Sequence, residues 1–130
     1  MAGKTTYCSN KVLEHIVGKT SFTMPSVWVA LFTATPSDAG GGTECTGGSY
    51  ARKSTAGADW ATAASSSIQN ANAITLVTPT GSWGTATHFA LMDAATVGNM
   101  LGWAALGTSK AISTGDTPTF AAGALIITDD

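Results

Sequence analysis

The stretch Ser26 to Pro36, "SVWVALFTATP", restricts the fold more than any other part of this chain. It is rich in Val, Trp and Phe, which suit an extended strand. Its two alternating sets, Val27/Val29/Leu31 and Trp28/Ala30/Phe32, are both apolar. A strand with one wet face would alternate apolar with polar residues, so this one is expected to be covered on both faces. The rest of the chain must supply two apolar covers for a single strand.

Upstream, "TTYCSNKVLEHIVGK" sets Cys8, Val12, Leu13, Ile16 and Val17 at helical spacing, with Thr5 or Thr6 as N-cap and Gly18 as C-cap. One short amphipathic helix is expected there. Downstream, the segments "SYARKST", "NAITLVTPT", "TATHFALMD", "NMLGWAALG" and "GALIITDD" read as short strands. Turn signals separate them, among them "PSDAGGG", "PTGSWG" and "STGDTP". No strand-helix alternation appears, which disfavours a doubly wound α/β fold. The expected class is mainly β: an antiparallel β-sandwich, jelly-roll or immunoglobulin-like, or a small barrel, with one short N-terminal α-helix packed at its end.

With 130 residues, the chain is expected to form a single domain over 1–130. Within it, residues 54–72, "STAGADWATAASSSIQNAN", are small and polar around one large aromatic, Trp60. This tract reads as a long loop or arm, with Trp60 either a contact residue or a cap on the core edge.

Charged residues make up only 11% of the chain, about half the usual fraction of about 25%. A surface of Thr, Ser, Ala and Gly is easily desolvated, because few ion hydration shells are shed on contact, which suits a subunit of an assembly. Six scattered basic residues and a net charge of -2 provide no stripe for phosphates, so nucleic acid is not an expected partner. No apolar run approaches the roughly 18 to 20 residues that cross a bilayer. The start "MAGKTTYCSNK" lacks a signal peptide's apolar core, so a cytoplasmically made chain outside the general export route is expected.

Little in the chain points to chemistry. "AGGGTECTGG" follows a buried strand but has neither GxGxxG nor GxxxxGK[ST] spacing, and no phosphate role is expected. Cys8 and Cys45 lie 37 positions apart without a CxxC pair. With only two His besides, no zinc set is expected. Two buried free thiols or a disulfide pinning the helix to the first long loop both remain open. His88 and His15 stand without a nucleophile elbow and read as structural and boundary residues. Asp38, Asp93 and Asp116 each sit in a turn signature, where Asp bonds its own downstream backbone. Catalytic residues, cofactors and metals are therefore not expected.

The order of motifs is more specific. The succession "KVLEHIVGKTSFTMPSVWVALFTATPSDAGGGTECTGGSYAR", "GSWGTATHFALMDAATVGNMLGWAAL" and "GDTPTFAAGALIIT" resembles a family of small tailed-bacteriophage virion proteins, called tail-fibre-like or minor tail proteins, with similar β proteins serving as head decoration or cement. The resemblance covers all but the middle around residues 54–72. It implies a non-enzymatic structural subunit on the particle exterior, made in the host cytoplasm, oligomeric, and bound to major capsid or tail proteins without nucleic acid or membrane. Cys8 and Cys45 stand where apolar residues are expected in that family, which supports burial of both and leaves the bridge open.

For the interface, Trp60, Gly41, Gly42 and Tyr50 are nominated, from the small-residue tract and the glycine-rich loop. A glycan-binding module is the alternative, since Trp60, Trp83, Trp103 and Tyr50 could offer ring faces to sugars. Trp83, between glycines in "TGSWGTA", is the nominated glycan contact, the other reading being an aromatic plug at the sandwich end.

Overall fold

The structure, a computed structural model, describes residues 3–129. In chain order the elements are β1 (Gly3–Lys4), α1 (Thr6–Ile16), β2 (Val27–Ala34), β3 (Thr43–Glu44) and β4 (Lys53–Thr55). A 3-10 turn at Gly57–Asp59 precedes β5 (Ser67–Gln69), β6 (Ile74–Thr75), β7 (Gly84–Met92), β8 (Met100–Ile112), β9 (Thr119–Phe120) and β10 (Ile126–Thr128). The fold is mainly β and antiparallel, with one helix near the N-terminus.

β2 lies within the main sheet, in the order β1-β8-β7-β2-β3, with β4 also paired to β2. Residues 28–32 of β2 run against 92–88 of β7. Two small sheets, β10-β5 and β6-β9, complete the strands. They supply the first cover: Ile74, Leu76, Leu125 and Ile127 pack with Val29 and Leu31 of β2, and with Trp83 and Phe89. On the opposite face Ala30 and Phe32 form a separate buried cluster with Ala90, Met92, Met100 and Trp103, their neighbours across the same sheet. Val29 and Ala30, adjacent in sequence and opposite in direction, are both fully buried. The two apolar sets of "SVWVALF" thus enter two different cores.

α1 has the expected ends. The Thr5 hydroxyl accepts the Cys8 N–H at 3.3 Å as N-cap. At the other end Gly18 has φ +75°, its N–H bonds His15 O, and the Lys19 N–H bonds Glu14 O. This is a Schellman closure with glycine at its left-handed position. Its packing departs from expectation, because no residue of the helix is fully buried. Thr5 ties the helix start to β8 through Leu101 O and Met100 O. Cys8 and Val12 are half-buried, while Leu13, Ile16 and Val17 are 59%, 70% and 76% exposed.

Residues 54–72 are folded as more than a loop or arm. Ala64 and Ser67 exchange two backbone hydrogen bonds at 2.9 and 3.0 Å, Ala61 bonds Gln69, and Trp60 bridges to Asn70. A hairpin results, and its two-residue tip, Ser65 and Ser66, has φ of 51° and 61°. Positive φ at both positions is the tip geometry whose twist matches paired strands. Asn70, fully buried, fastens the hairpin: its Nδ2 donates to Asn72 O and Ala121 O, and its Oδ1 accepts the Leu125 N–H, each at 2.9 Å. Two strand expectations shrink for a related reason. Only Lys53–Thr55 of "SYARKST" and Ile74–Thr75 of "NAITLVTPT" are strand, since a turn ends at Tyr50 and irregular chain carrying the buried Pro79 follows β6.

Replacing Ser65 and Ser66 by Asn and Gly is expected to raise unfolding stability by about 1 kcal/mol, because side chains are poorly tolerated at positive φ. Asn70→Ala is expected to lower it by about 3 kcal/mol, since the buried Leu125 N–H loses its acceptor and the carbonyls of Asn72 and Ala121 lose a donor. Urea denaturation of both variants against the parent checks the two signs.

Candidate binding face around Arg52 and Glu44

Past β3 the chain enters the glycine-rich stretch and folds tightly onto the turn before β7. A Cβ on Gly47 would lie 2.2 Å from Ser82 O, and one on Gly48 2.2 Å from Gly81 N, so only glycine permits this approach. The closed loop covers Trp83. The Trp83 Nε1–H donates to Gly48 O at 2.8 Å, and Tyr50 meets its ring edge-on at 5.0 Å and 87°. Trp83 is 2% exposed, so the nominated glycan contact is corrected: glycines on both sides let the backbone close over the indole, which is a plug in the main core.

Tyr50 then links three elements. Its hydroxyl donates to Glu44 Oε2 at 2.6 Å and accepts the Leu31 N–H of β2 at 3.1 Å. Arg52 grips the same carboxylate as a fork, Nε to Oε2 and Nη2 to Oε1, both at 2.8 Å. Its Nη1 donates to Ala94 O and Val97 O at 2.8 Å, which fastens the β7–β8 connection. The Arg52 side chain is 6% exposed and that of Glu44 24%. A charge buried to this degree is held only when paired and hydrogen-bonded.

The ionisations follow from this packing. Burial pushes the Glu44 carboxyl up, but the hydrogen bonds from Arg52 and Tyr50 and the guanidinium charge outweigh it, and the net direction is down. Burial, then the bond to Glu44, holds the Tyr50 phenol far above its ordinary range. Cys45 is pushed up to about 11 by burial and by the neighbouring Glu44 charge. It is a small apolar plug in the main core. Cys8, half-buried on α1, is likewise raised by burial. Both thiols are free, so the alternative of a staple is not formed: Cys45 points into the core beside β2, whereas α1 contacts β8 and β1.

The other nominated residues are scattered. Trp60 packs partly buried against the main core with its Nε1–H on Thr55 Oγ1 at 3.0 Å. Trp103 is 4% exposed and presents no ring face. Gly41 and Gly42, exposed with φ of 65° and 75°, lie on the rim of a cleft of about 680 Å³ floored by Phe32, Met92 and Met100. His88, its pKa lowered by burial, bonds Thr87 and lies 5.9 Å from the Trp103 ring. Asp93 accepts the downstream Asn99 N–H, as expected of it, whereas Asp116 turns back to accept the Ser113 N–H, upstream of it. Among the described residues no three His, Cys, Asp or Glu side chains converge on a metal position, and no helix is long and apolar enough to cross a membrane.

A second cleft, of about 360 Å³, is lined by Trp28, Thr46, Tyr50 and Thr96. Glu44, Arg52 and Val97 line both clefts. Val97 is 82% exposed with φ 56°, a strained setting for a β-branched residue. Reading the sequence for motifs missed this constellation. Its signal was a glutamate, a tyrosine and an arginine within nine positions of a chain with few charges.

Residues 3–128, nearly the whole chain, match the profile of a family described as Podophage GP4 fiber I protein gp80. The chain belongs to that family. It is thereby a fibre-type structural component of a tailed-phage virion, in agreement with the resemblance carried by its motif order. No curated protein matches it. The groups assembled around Arg52 offer hydrogen bonding and apolar contact.

Because the folded Glu44 pKa lies below its ordinary 4.5, its contribution to stability is complete above about 4.5 and is lost as pH falls through the lower folded value. Glu44→Gln is expected to cost on the order of 3 kcal/mol at pH 7 by stranding the buried guanidinium. The gap between variant and parent is expected to narrow from pH 5 to pH 3, as read by denaturant unfolding.

Proposed function

We propose that this chain is a non-enzymatic, fibre-type subunit on the virion exterior, held to a neighbouring virion protein by burial of the outward face of α1 and the segment after it. The observation that carries this reading is an exposed apolar ridge. Leu13, Ile16 and Val17 stand at helical spacing on one face, and Met24, 91% exposed, follows them. An isolated domain gains nothing from this arrangement, since each side chain forgoes about 1.5–3 kcal/mol of burial. Contiguous exposed apolar surface of this kind marks protein contact sites. Sparse charge lowers the desolvation cost of docking. Family membership supports association with other virion proteins. Of the nominated interface residues, Trp60 and Tyr50 serve the fold through their inward bonds, and only Gly41 and Gly42 are exposed.

The test substitutes Ile16 and Val17 together by lysine. The isolated protein is expected to keep its circular dichroism and melting temperature, because neither side chain contributes to a core. Phage carrying the variant are expected to assemble with the subunit missing from purified particles by mass spectrometry. Normal incorporation would overturn the assignment of this face.

A further inference from the structure

The Arg52–Glu44 fork lines both clefts, and its hydrogen-bonding capacity is not filled. Arginine has five N–H donors. Four are used, by Glu44 Oε2, Glu44 Oε1, Ala94 O and Val97 O, which leaves one N–H on Nη2. Glu44 Oε2 accepts from both Tyr50 and Arg52, whereas Oε1 accepts once, which leaves it a lone pair. The spare donor and the spare acceptor therefore sit on Nη2 and Oε1, atoms 2.8 Å apart. Adjacent hydroxyls of a sugar ring match this pair, one accepting and the other donating.

The surroundings narrow the ligand further. A phosphate or carboxylate at this point would meet the Glu44 charge, and a cation would meet Arg52, so a neutral ligand with a donor and an acceptor side by side fits, as adjacent hydroxyls provide. Arg52, buried to all but 6% and held on two backbone carbonyls, is fixed in place before any ligand arrives. Beside it, the half-buried Trp28 lines the smaller cleft and offers the flat apolar surface that suits the C–H face of a sugar. On the other side, the larger cleft is rimmed by the exposed backbone of Gly41 and Gly42.

We propose that the smaller cleft binds a saccharide, with a vicinal diol bridging Arg52 and Glu44 and a sugar ring lying against Trp28. The proposal moves the sugar contact from the buried Trp83 to Trp28. For its biological setting it rests on the reading that the chain is exposed on the virion exterior, but the binding itself belongs to the isolated chain.

The experiment is saturation-transfer NMR on the full chain with the methyl glycosides of glucose, mannose and galactose at millimolar concentration. These probes sample the trans and cis arrangements of neighbouring ring hydroxyls. At least one is expected to bind and to change tryptophan fluorescence. Trp28→Ala is expected to weaken that binding about tenfold, and Thr96→Trp, at an exposed position on the smaller cleft, to block it. Should Trp28→Ala fail to fold, Thr96→Trp carries the test. Binding of none of the three, or binding untouched by the variants, overturns the proposal. Burial of the groove by a neighbouring protein in the assembled particle, with no glycoside bound by the free chain, overturns it in favour of a protein contact. Because the α1 ridge is tested by incorporation into particles, failure of one reading is distinguishable from failure of the other.

Discussion

β2 is a strand with no face left for water, and the architecture follows from that constraint. Val29 and Leu31 need one apolar layer, and Ala30 and Phe32 need another. The first set packs on two small sheets, and the second is buried in a cluster with the side chains of β7 and β8 that flank it in the same sheet. A single-layer sheet would leave one set wet, at a cost of about 1.5–3 kcal/mol for each large side chain. Hence short, irregular segments such as Ile74–Thr75 and Ile126–Thr128 matter more than their length suggests.

Arg52 does for the connections what β2 does for the sheet. The fork on Glu44 and the two bonds to the β7–β8 connection join segments far apart in sequence. Tyr50 extends the same network to the backbone of β2 and to the edge of Trp83. Glycine at 47 and 48 lets that loop close over the indole. A charge-poor chain has concentrated one of its few ion pairs where three connections meet, and the two clefts open on either side of it.

Much of the fold was legible in the sequence. The double apolar alternation of Ser26 to Pro36 announced a strand buried on both faces, and Thr5 and Gly18 marked the helix ends through local backbone chemistry. The downstream backbone bond of Asp93 was readable for the same reason. Less legible was the tract around Trp60, because two serines at positive φ give no warning of a hairpin tip, where Asn-Gly would have. Of the two readings kept for Trp83, the plug is the one the structure shows, since a second glycine loop closes over the indole where an open turn would have exposed it.

The sequence by itself determined the class of the molecule: short antiparallel strands, one capped helix, sparse charge, and a motif order shared with a phage fibre family. These properties are set within a few residues of one another, through backbone preference and periodicity, or read along the whole string. Tertiary structure alone decided that Leu13, Ile16 and Val17 face outward, that Trp83 is sealed, and that Glu44, Tyr50 and Arg52 converge beside Trp28. Exposure and hydrogen bonding depend on partners contributed by distant segments, here the carbonyls of Ala94 and Val97 and the anchoring of Thr5 on β8. Those partners meet only when the strands pair.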